Sequence, residues 1–165
     1  MTGSFFIEPL GPTHDRASFH SGVAPLDRYL REQAMQDIRR RVTACYVALE
    51  APGAEIAGYY TLAAGGVALT DLPELIARRL PRYPSVPVAR LGRLAVGQAY
   101  RGQKLGSALL WDAGMRALRS EIAAFALVVD AKDESAEAFY LHHGFVSLGS
   151  QLRQLFLPLA TFAKA

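Results

Sequence analysis

A single cysteine, Cys45, in 165 residues leaves no route to an internal disulfide or to a cysteine-cluster metal site. It reads as a small core residue on a strand. Long apolar runs are also missing. Stretches such as Ile122–Val129 are too short, and too closely flanked by charge, to cross a bilayer. The first residues, Met-Thr-Gly-Ser-Phe-Phe-Ile-Glu, lack the basic start and apolar stretch of a signal peptide. The expectation is a cytoplasmic chain with no metal and no membrane contact. Acidic residues are absent from a whole window. Between Leu75 and Trp111 there is no Asp or Glu, while Arg78, Arg79, Arg82, Arg90, Arg93, Arg101 and Lys104 all fall there. A second basic knot is Arg39-Arg40-Arg41. The net charge is only +3, so the remainder of the chain is net negative. Guanidinium groups grip phosphate oxygens bidentately, and a phosphate-rich partner is the physical expectation.

Half of the sequence, 51%, is apolar, enough for one sizeable core and too much for disorder. No repeat, low-complexity tract or long linker divides it, so a single domain over residues 1–165 is expected. Phe5–Glu8 reads as a first strand. Pro25 suits the opening of a helix, where its missing N–H is not needed. Leu26, Tyr29, Leu30, Ala34 and Ile38 then share one helical face, and the helix ends at the arginine knot. Ala44–Glu50 and Ile56–Ala64 read as a hairpin about Pro52-Gly53. Leu72–Leu80 reads as a short helix behind Asp71, stopped by Pro81. Val88–Val96 is the next strand, where Gly92 signals a bulge or a close backbone approach. A helix over Gly106–Arg119, a strand over Phe125–Asp130 and a helix over Ser135–His142 follow. Gly144 ends the last of these in a left-handed cap. Phe145–Leu148 and Leu155–Leu157 close the sheet as an antiparallel pair. This is an α/β layered pattern with a mixed sheet.

Arg101-Gly-Gln-Lys-Leu-Gly106 follows a strand and opens a helix. Helix N-termini expose unpaired N–H groups with partial positive charge, where phosphates settle. Gly102 and Gly106 allow close backbone approach, and Arg101 and Lys104 add formal charge. The segment matches neither the dinucleotide fingerprint nor the P-loop. In isolation an ordinary basic helix start would read the same.

The segment has neighbours. Arg90-Leu-Gly-Arg-Leu-Ala-Val96 precedes it and Ala138-Phe-Tyr-Leu-His-His-Gly-Phe145 follows it. This ordered set resembles the GNAT acetyltransferase superfamily. The resemblance implies a GNAT fold, α+β layered, with a mixed, mostly antiparallel sheet of six to seven strands flanked by helices. It implies acetyl-CoA as co-substrate. Leu94, Ala95 and Val96 would meet pantetheine or the thioester, and Arg101, Gly102, Gln103, Lys104, Leu105, Gly106 and Ser107 the pyrophosphate. Ser135 and Phe139 would also contact the coenzyme. Lys104 stands where that family usually has glycine. Backbone donation needs glycine there only if φ is positive, so the loop is expected to tolerate the lysine. Phe19-His-Ser-Gly22, Leu26-Asp-Arg-Tyr-Leu30, Gly58-Tyr-Tyr-Thr-Leu62 and Val129-Asp-Ala-Lys-Asp133 narrow the resemblance. They look like the GNAT toxins of bacterial toxin–antitoxin pairs, which acetylate the amino group of aminoacyl-tRNA and stop translation. A ribbon-helix-helix antitoxin is the partner so implied, and a homodimer is left open.

By the same resemblance Tyr140 donates a proton to the departing thiolate. A phenol stays protonated at neutral pH and suits that role. No general base stands out. His142 and His143 are adjacent, point about 100° apart on a helix, and read as C-terminal caps. A lysine amine near pKa ~10.4 would need a base, whereas an α-amino group near ~7.7–8.0 loses its proton with little help. This favours an aminoacyl ester as acceptor. Arg39, Arg40, Arg41, Arg78, Arg79, Arg82, Arg90 and Arg93 exceed what a coenzyme needs and are expected to track tRNA phosphates. A GNAT enzyme acting on a small or protein amine, and a non-catalytic acyl-CoA-binding module, are the competing readings.

Overall fold

The structure is a computed structural model and describes residues 4–149 and 151–164. Seven strands follow the order β1-β2-β3-β4-β5-β7-β6 in one mixed sheet. They are β1 (Phe6–Pro9), β2 (Ala44–Leu49), β3 (Gly58–Ala68), β4 (Ser85–Val96), β5 (Ala126–Asp130), β6 (Val146–Ser147) and β7 (Gln154–Pro158). The helices are α1 (Ala24–Arg28), α2 (Ala34–Arg39), α3 (Glu74–Ala77), α4 (Leu105–Arg119), α5 (Glu134–His142) and α6 (Ala160–Ala163). Contacts group the chain into two compact units. One holds the chain up to Ala63 with Gly92–Ala113; the other holds Ala64–Leu91 with the chain from Gly114 onward.

In the first unit β1 pairs antiparallel with β2, and β2 antiparallel with β3. The hairpin about Pro52-Gly53 forms as expected, with Gly53 at φ +81°. Valines, tyrosines and leucines on these strands suit a pleated, half-buried surface. Their inner face is buried with Leu30 and Ala34, which are fully covered, and with Cys45, Val47, Tyr59 and Ala95. The expected helical face is therefore real, with Leu26 and Ile38 partly buried at its margin. The helix itself is not uniform. Between α1 and α2, Tyr29–Gln33 forms a π-helical turn, and the Ala34 N–H reaches the Tyr29 carbonyl. Such turns insert one extra residue and re-aim the side chains around them. Side-chain spacing does not reveal that insertion.

In the second unit β4 pairs in parallel with β5, and β5 antiparallel with β7, which also pairs antiparallel with β6. Val67, Leu72, Val86, Val88, Ala126, Val128, Leu148 and Phe156 form its core. The Leu72–Leu80 helix is shorter than expected. A 3-10 turn covers Leu69–Asp71, and α-helix covers only Glu74–Ala77. Asp71 is thus not an N-cap, and no side chain caps α3. Strand β3 runs through Gly65-Gly66 to Ala68, beyond the expected end at Ala64. A Cβ on Gly66 would lie 2.8 Å from Ser85 Oγ, so the glycine permits a close approach there. Gly144, at φ +93°, follows α5 as expected.

Among the described residues no helix is long and apolar enough to cross a membrane. Nor does any group of three or more His, Cys, Asp or Glu among them have metal-holding geometry.

Candidate active site

In the first unit β4 ends at Val96, and the chain passes through a 3-10 turn, Gln98–Tyr100, before α4 begins at Leu105. The turn is pinned at its start. Gly97 N–H donates to the Ala57 carbonyl at 2.7 Å, and Gln98 N–H to the His20 carbonyl at 2.9 Å. A pocket of about 270 Å³ opens beside it, lined by Ser18, His20, Ile56, Gln98 and Tyr100 among others.

Beyond Arg101 the backbone becomes unusual. Gly102 has φ +82° and Lys104 has φ +61°, with Gln103 between them. A Cβ on Gly102 would meet nothing within 4 Å, so glycine serves conformation there and not space. The first helical hydrogen bond of α4 runs from Ala108 N–H to the Lys104 carbonyl. Arg101 and Gly102 form the centre of a hydrogen-bonded turn closed by the Gln103 N–H, while the N–H groups of Gly102, Lys104, Leu105 and Gly106 donate to no protein group among the described residues. Four unpartnered N–H groups in a loop of alternating handedness, at the head of a 15-residue helix, form an anion nest. The expectation for Lys104 needs correcting here. Its φ is positive, so the usual glycine reflects a real backbone demand, and lysine meets it at a cost of about 1–2 kcal/mol.

Arg101 makes a structural contact beside the role expected of it. Its Nη2 donates to the Ser21 carbonyl at 2.7 Å, which ties the loop to residues 80 positions earlier. The guanidinium therefore braces the nest with one nitrogen and keeps its other donors for an anion. Arg93 also points inward. Its guanidinium sits 3.5 Å from the centroid of the Tyr29 ring. Tyr29 donates to Asp37 at 2.7 Å, and Gln33 donates to the same carboxylate at 2.8 Å. Those two hydrogen bonds hold the Asp37 carboxyl below its usual range. Burial, with the bond to Asp37, holds the Tyr29 phenol neutral. Arg39, Arg40 and Arg41 are exposed.

In the second unit Asp133 caps α5, its carboxylate accepting the Ala136 N–H at 2.8 Å. That bond lowers the Asp133 pKa. Tyr140, two residues from the end of α5, is buried between Phe139 and Phe145, at centroid distances of 5.2 and 5.3 Å. Its hydroxyl has no hydrogen-bond partner among the described residues. Burial pushes the phenol up to about 12, so at neutral pH it holds its proton with nothing in the protein competing for it. Ser135 is exposed in the first turn of α5, and Phe139 is half-buried. His143 Nδ1 lies 2.8 Å from the Phe139 carbonyl, a C-terminal contact of the kind expected. Arg78 pairs with Glu74 and Arg90 with Asp130, while Arg79 and Arg82 are exposed.

A model of the Acetyltransferase (GNAT) family matches residues 14–145. The chain belongs to the GNAT acetyltransferase family. It is similar to the tRNA-acetylating toxin of Mycobacterium tuberculosis (strain ATCC 25618 / H37Rv), 36% identical over 147 residues, covering 88% of this chain and 86% of that one. It is similar also to the probable toxin TacT of Sinorhizobium fredii (strain NBRC 101917 / NGR234), 31% identical over 165 residues, covering 94% and 91%. Among solved structures it resembles AtaT complexed with acetyl-methionyl-tRNAfMet, with a TM-score of 0.84, 26% identity and 98% of each chain covered. AtaTR bound with AcCoA gives a TM-score of 0.80 at 26% identity, covering 97% of this chain and 96% of that one. As a GNAT family member the chain has the expected fold, and its mixed sheet has seven strands.

Of three further residues that bear on the site, Ser21 and Asp27 stood in motifs of the sequence without an assigned role, and Gln98 was not singled out. Gly22 and a carboxylate on the otherwise apolar start of the first helix were the available signals.

Proposed function

We propose that this chain is an acetyl-CoA-dependent toxin that acetylates the α-amino group of aminoacyl-tRNA and so blocks translation. The observation that carries the coenzyme part is the nest over Gly102–Gly106, a set of orphan N–H donors at a helix start that suits the phosphates of a coenzyme. The acceptor part rests on the relatives, one named a tRNA-acetylating toxin and one solved with acetylated tRNA. The family model runs through both compact units, which supports a single catalytic domain over the chain.

Acetyl-CoA, when bound, supplies an acetyl thioester, and an amine that displaces its sulfur becomes an amide as a thiol is released. The chain's own groups act around that exchange. The nest N–H groups and Arg101 hold the two phosphates. Backbone donors along Leu94–Val96 polarise the thioester carbonyl. Tyr140 gives its proton to the departing sulfur, the attacking nitrogen sheds one proton to water as the amide forms, and water returns a proton to Tyr140. Its raised pKa keeps the acid form present throughout the physiological range. The α-amine loses its proton with little help near neutral pH, unlike a lysine amine, which is consistent with the lack of an evident base. Exposed arginines, Arg39–Arg41 in one unit and Arg79 and Arg82 in the other, offer phosphate contacts that position tRNA without reading it. An antitoxin of ribbon-helix-helix type, acidic where it meets these arginines, is the expected protein partner. Such a toxin works where translation occurs, and we place it in the cytoplasm.

In vitro translation with and without acetyl-CoA tests this reading. Acetyl-CoA-dependent arrest that disappears in Tyr140→Phe, with melting unchanged, is the expected result. The phenol makes no protein hydrogen bond, so Phe removes only the donor. Acetyl transfer to other amines without arrest would replace tRNA by a small or protein amine.

A further inference from the structure

The family motifs Phe19-His-Ser-Gly22 and Leu26-Asp-Arg-Tyr-Leu30 have no part in the chemistry above. The structure joins them. Asp27 in α1 is buried, at 8% exposure. Its carboxylate faces back past its own helix start. Ser21 N–H donates to both oxygens, at 3.0 and 3.2 Å, and Ser21 Oγ donates to Oδ1 at 2.5 Å. His20 Nδ1 lies 3.6 Å from Oδ2, and Ser21 Oγ in turn accepts the Val23 N–H at 3.1 Å. A buried carboxylate is costly unless its lone pairs are satisfied, and here the donors of one turn satisfy it.

That turn grips the coenzyme loop at three points. The His20 carbonyl accepts the Gln98 N–H. The Ser21 carbonyl accepts Arg101 Nη2. Gly22, at φ +89°, leaves no room for a side chain: a Cβ would lie 2.5 Å from Gln98 Nε2 and 3.3 Å from Arg101 Nη2. Asp27 therefore fixes Ser21, Ser21 fixes Arg101, and His20 and Gly22 fix the segment that enters the nest.

We infer that Asp27 is a positioning residue for coenzyme binding, acting through Ser21 on Arg101. This rests on the reading of Arg101–Gly106 as the pyrophosphate loop. An anchor that merely held α1 in place would lower stability alone. A positioning residue changes coenzyme affinity at temperatures where every variant is folded, and it does so only while Arg101 is present.

The experiment is calorimetric titration of the full chain with acetyl-CoA, well below the melting temperature of each variant. Asp27→Ala should weaken Kd about tenfold, the size of one charge-assisted hydrogen bond lost. Asp27→Asn keeps one acceptor oxygen for Ser21 and should lose less. Ser21→Ala, which removes only Oγ, gives a second reading if Asp27→Ala does not fold. Arg101→Ala should itself weaken binding, and adding Asp27→Ala to it should have no further effect. An unchanged Kd in Asp27→Ala and Ser21→Ala, or effects that multiply in the double variant, overturns the inference. An unchanged Kd in Arg101→Ala instead overturns the loop reading on which it rests.

Discussion

Replacing Lys104 by glycine should make this protein more stable, even though it deletes a side chain beside the proposed pyrophosphate. Lys104 is held at φ +61°, where a Cβ crowds the following carbonyl. That conformation costs an L-residue about 1–2 kcal/mol and glycine almost nothing. Against the relief stands the extra freedom glycine gives the unfolded chain, about 0.4–1 kcal/mol. The balance favours glycine by about 1 kcal/mol, or ~2–4 °C in melting temperature for a chain of this size. Removing the charge also changes local repulsion, so the comparison should be with Lys104→Ala, which loses the same amine and keeps the strained φ. Thermal melting by circular dichroism of the pair, at equal pH and salt, isolates the backbone term. Lys104→Gly should melt above Lys104→Ala. If it melts at or below it, the loop does not hold the left-handed turn in solution, and the nest of N–H groups built on that turn loses its basis.

Other outcomes follow from the same geometry. Gly58→Ala should cost about 1–3 kcal/mol in urea unfolding, because its Cβ would meet the Ala95 carbonyl oxygen at 2.9 Å and leucine methyls at 3.0 and 3.1 Å. Burial raises the Cys45 thiol from 9.0 to about 12 and the Tyr140 phenol from 10.0 to about 12. These raised pKa values stabilise the fold fully below the unfolded values, and that contribution is lost as pH rises through the folded ones. Stability should thus begin to fall above pH 9, and Cys45→Ala should delay the onset toward pH 10, read by melting across that range. Binding of tRNA should weaken steeply with salt, and Arg39→Glu/Arg40→Glu should flatten that dependence in a filter-binding titration.

The sequence made most of the fold legible where a local signal and the tertiary demand agreed. Pro25 opened its helix near the expected place, the apolar face over Leu30 and Ala34 found the core, and the Pro52-Gly53 turn closed its hairpin. It failed where a backbone angle or a distant contact decided. A π-turn at Tyr29–Gln33 leaves the residue spacing looking helical. Strand β3 continues through two glycines past the expected end at Ala64, and at Gly66 a close neighbour, Ser85, leaves no space for a Cβ. The loop itself was legible by residue type, since Gly102 and Gly106 advertise backbone exposure. The φ at Lys104 was not, because lysine gives no hint of a left-handed turn. Asp27 was visible within the segment Leu26–Leu30 without a role, and its partner Ser21 shows why it is buried.

The arginines illustrate the difference between counting charges and placing them. Eight were set aside for nucleic acid on number alone. Arg93 lies on the Tyr29 ring, an inward contact with an aromatic face, so its charge contributes to the packing of its own unit. Arg78 and Arg90 each have a carboxylate partner, Glu74 and Asp130. Exposed pairs of that kind are worth only about 0–1 kcal/mol, so a phosphate can displace the carboxylate at little cost. Pairing thus does not remove these two from a tRNA surface, while Arg93 would give up its contact with the Tyr29 ring, worth about 0.5–2 kcal/mol, if it turned to a phosphate. The acid-free window remains a sound signal of a phosphate-binding chain. Its members nevertheless stand in different surroundings: Arg101 ties its loop to Ser21, Lys104 sits within that loop, Arg93 packs against a tyrosine, and Arg78, Arg79 and Arg82 are exposed.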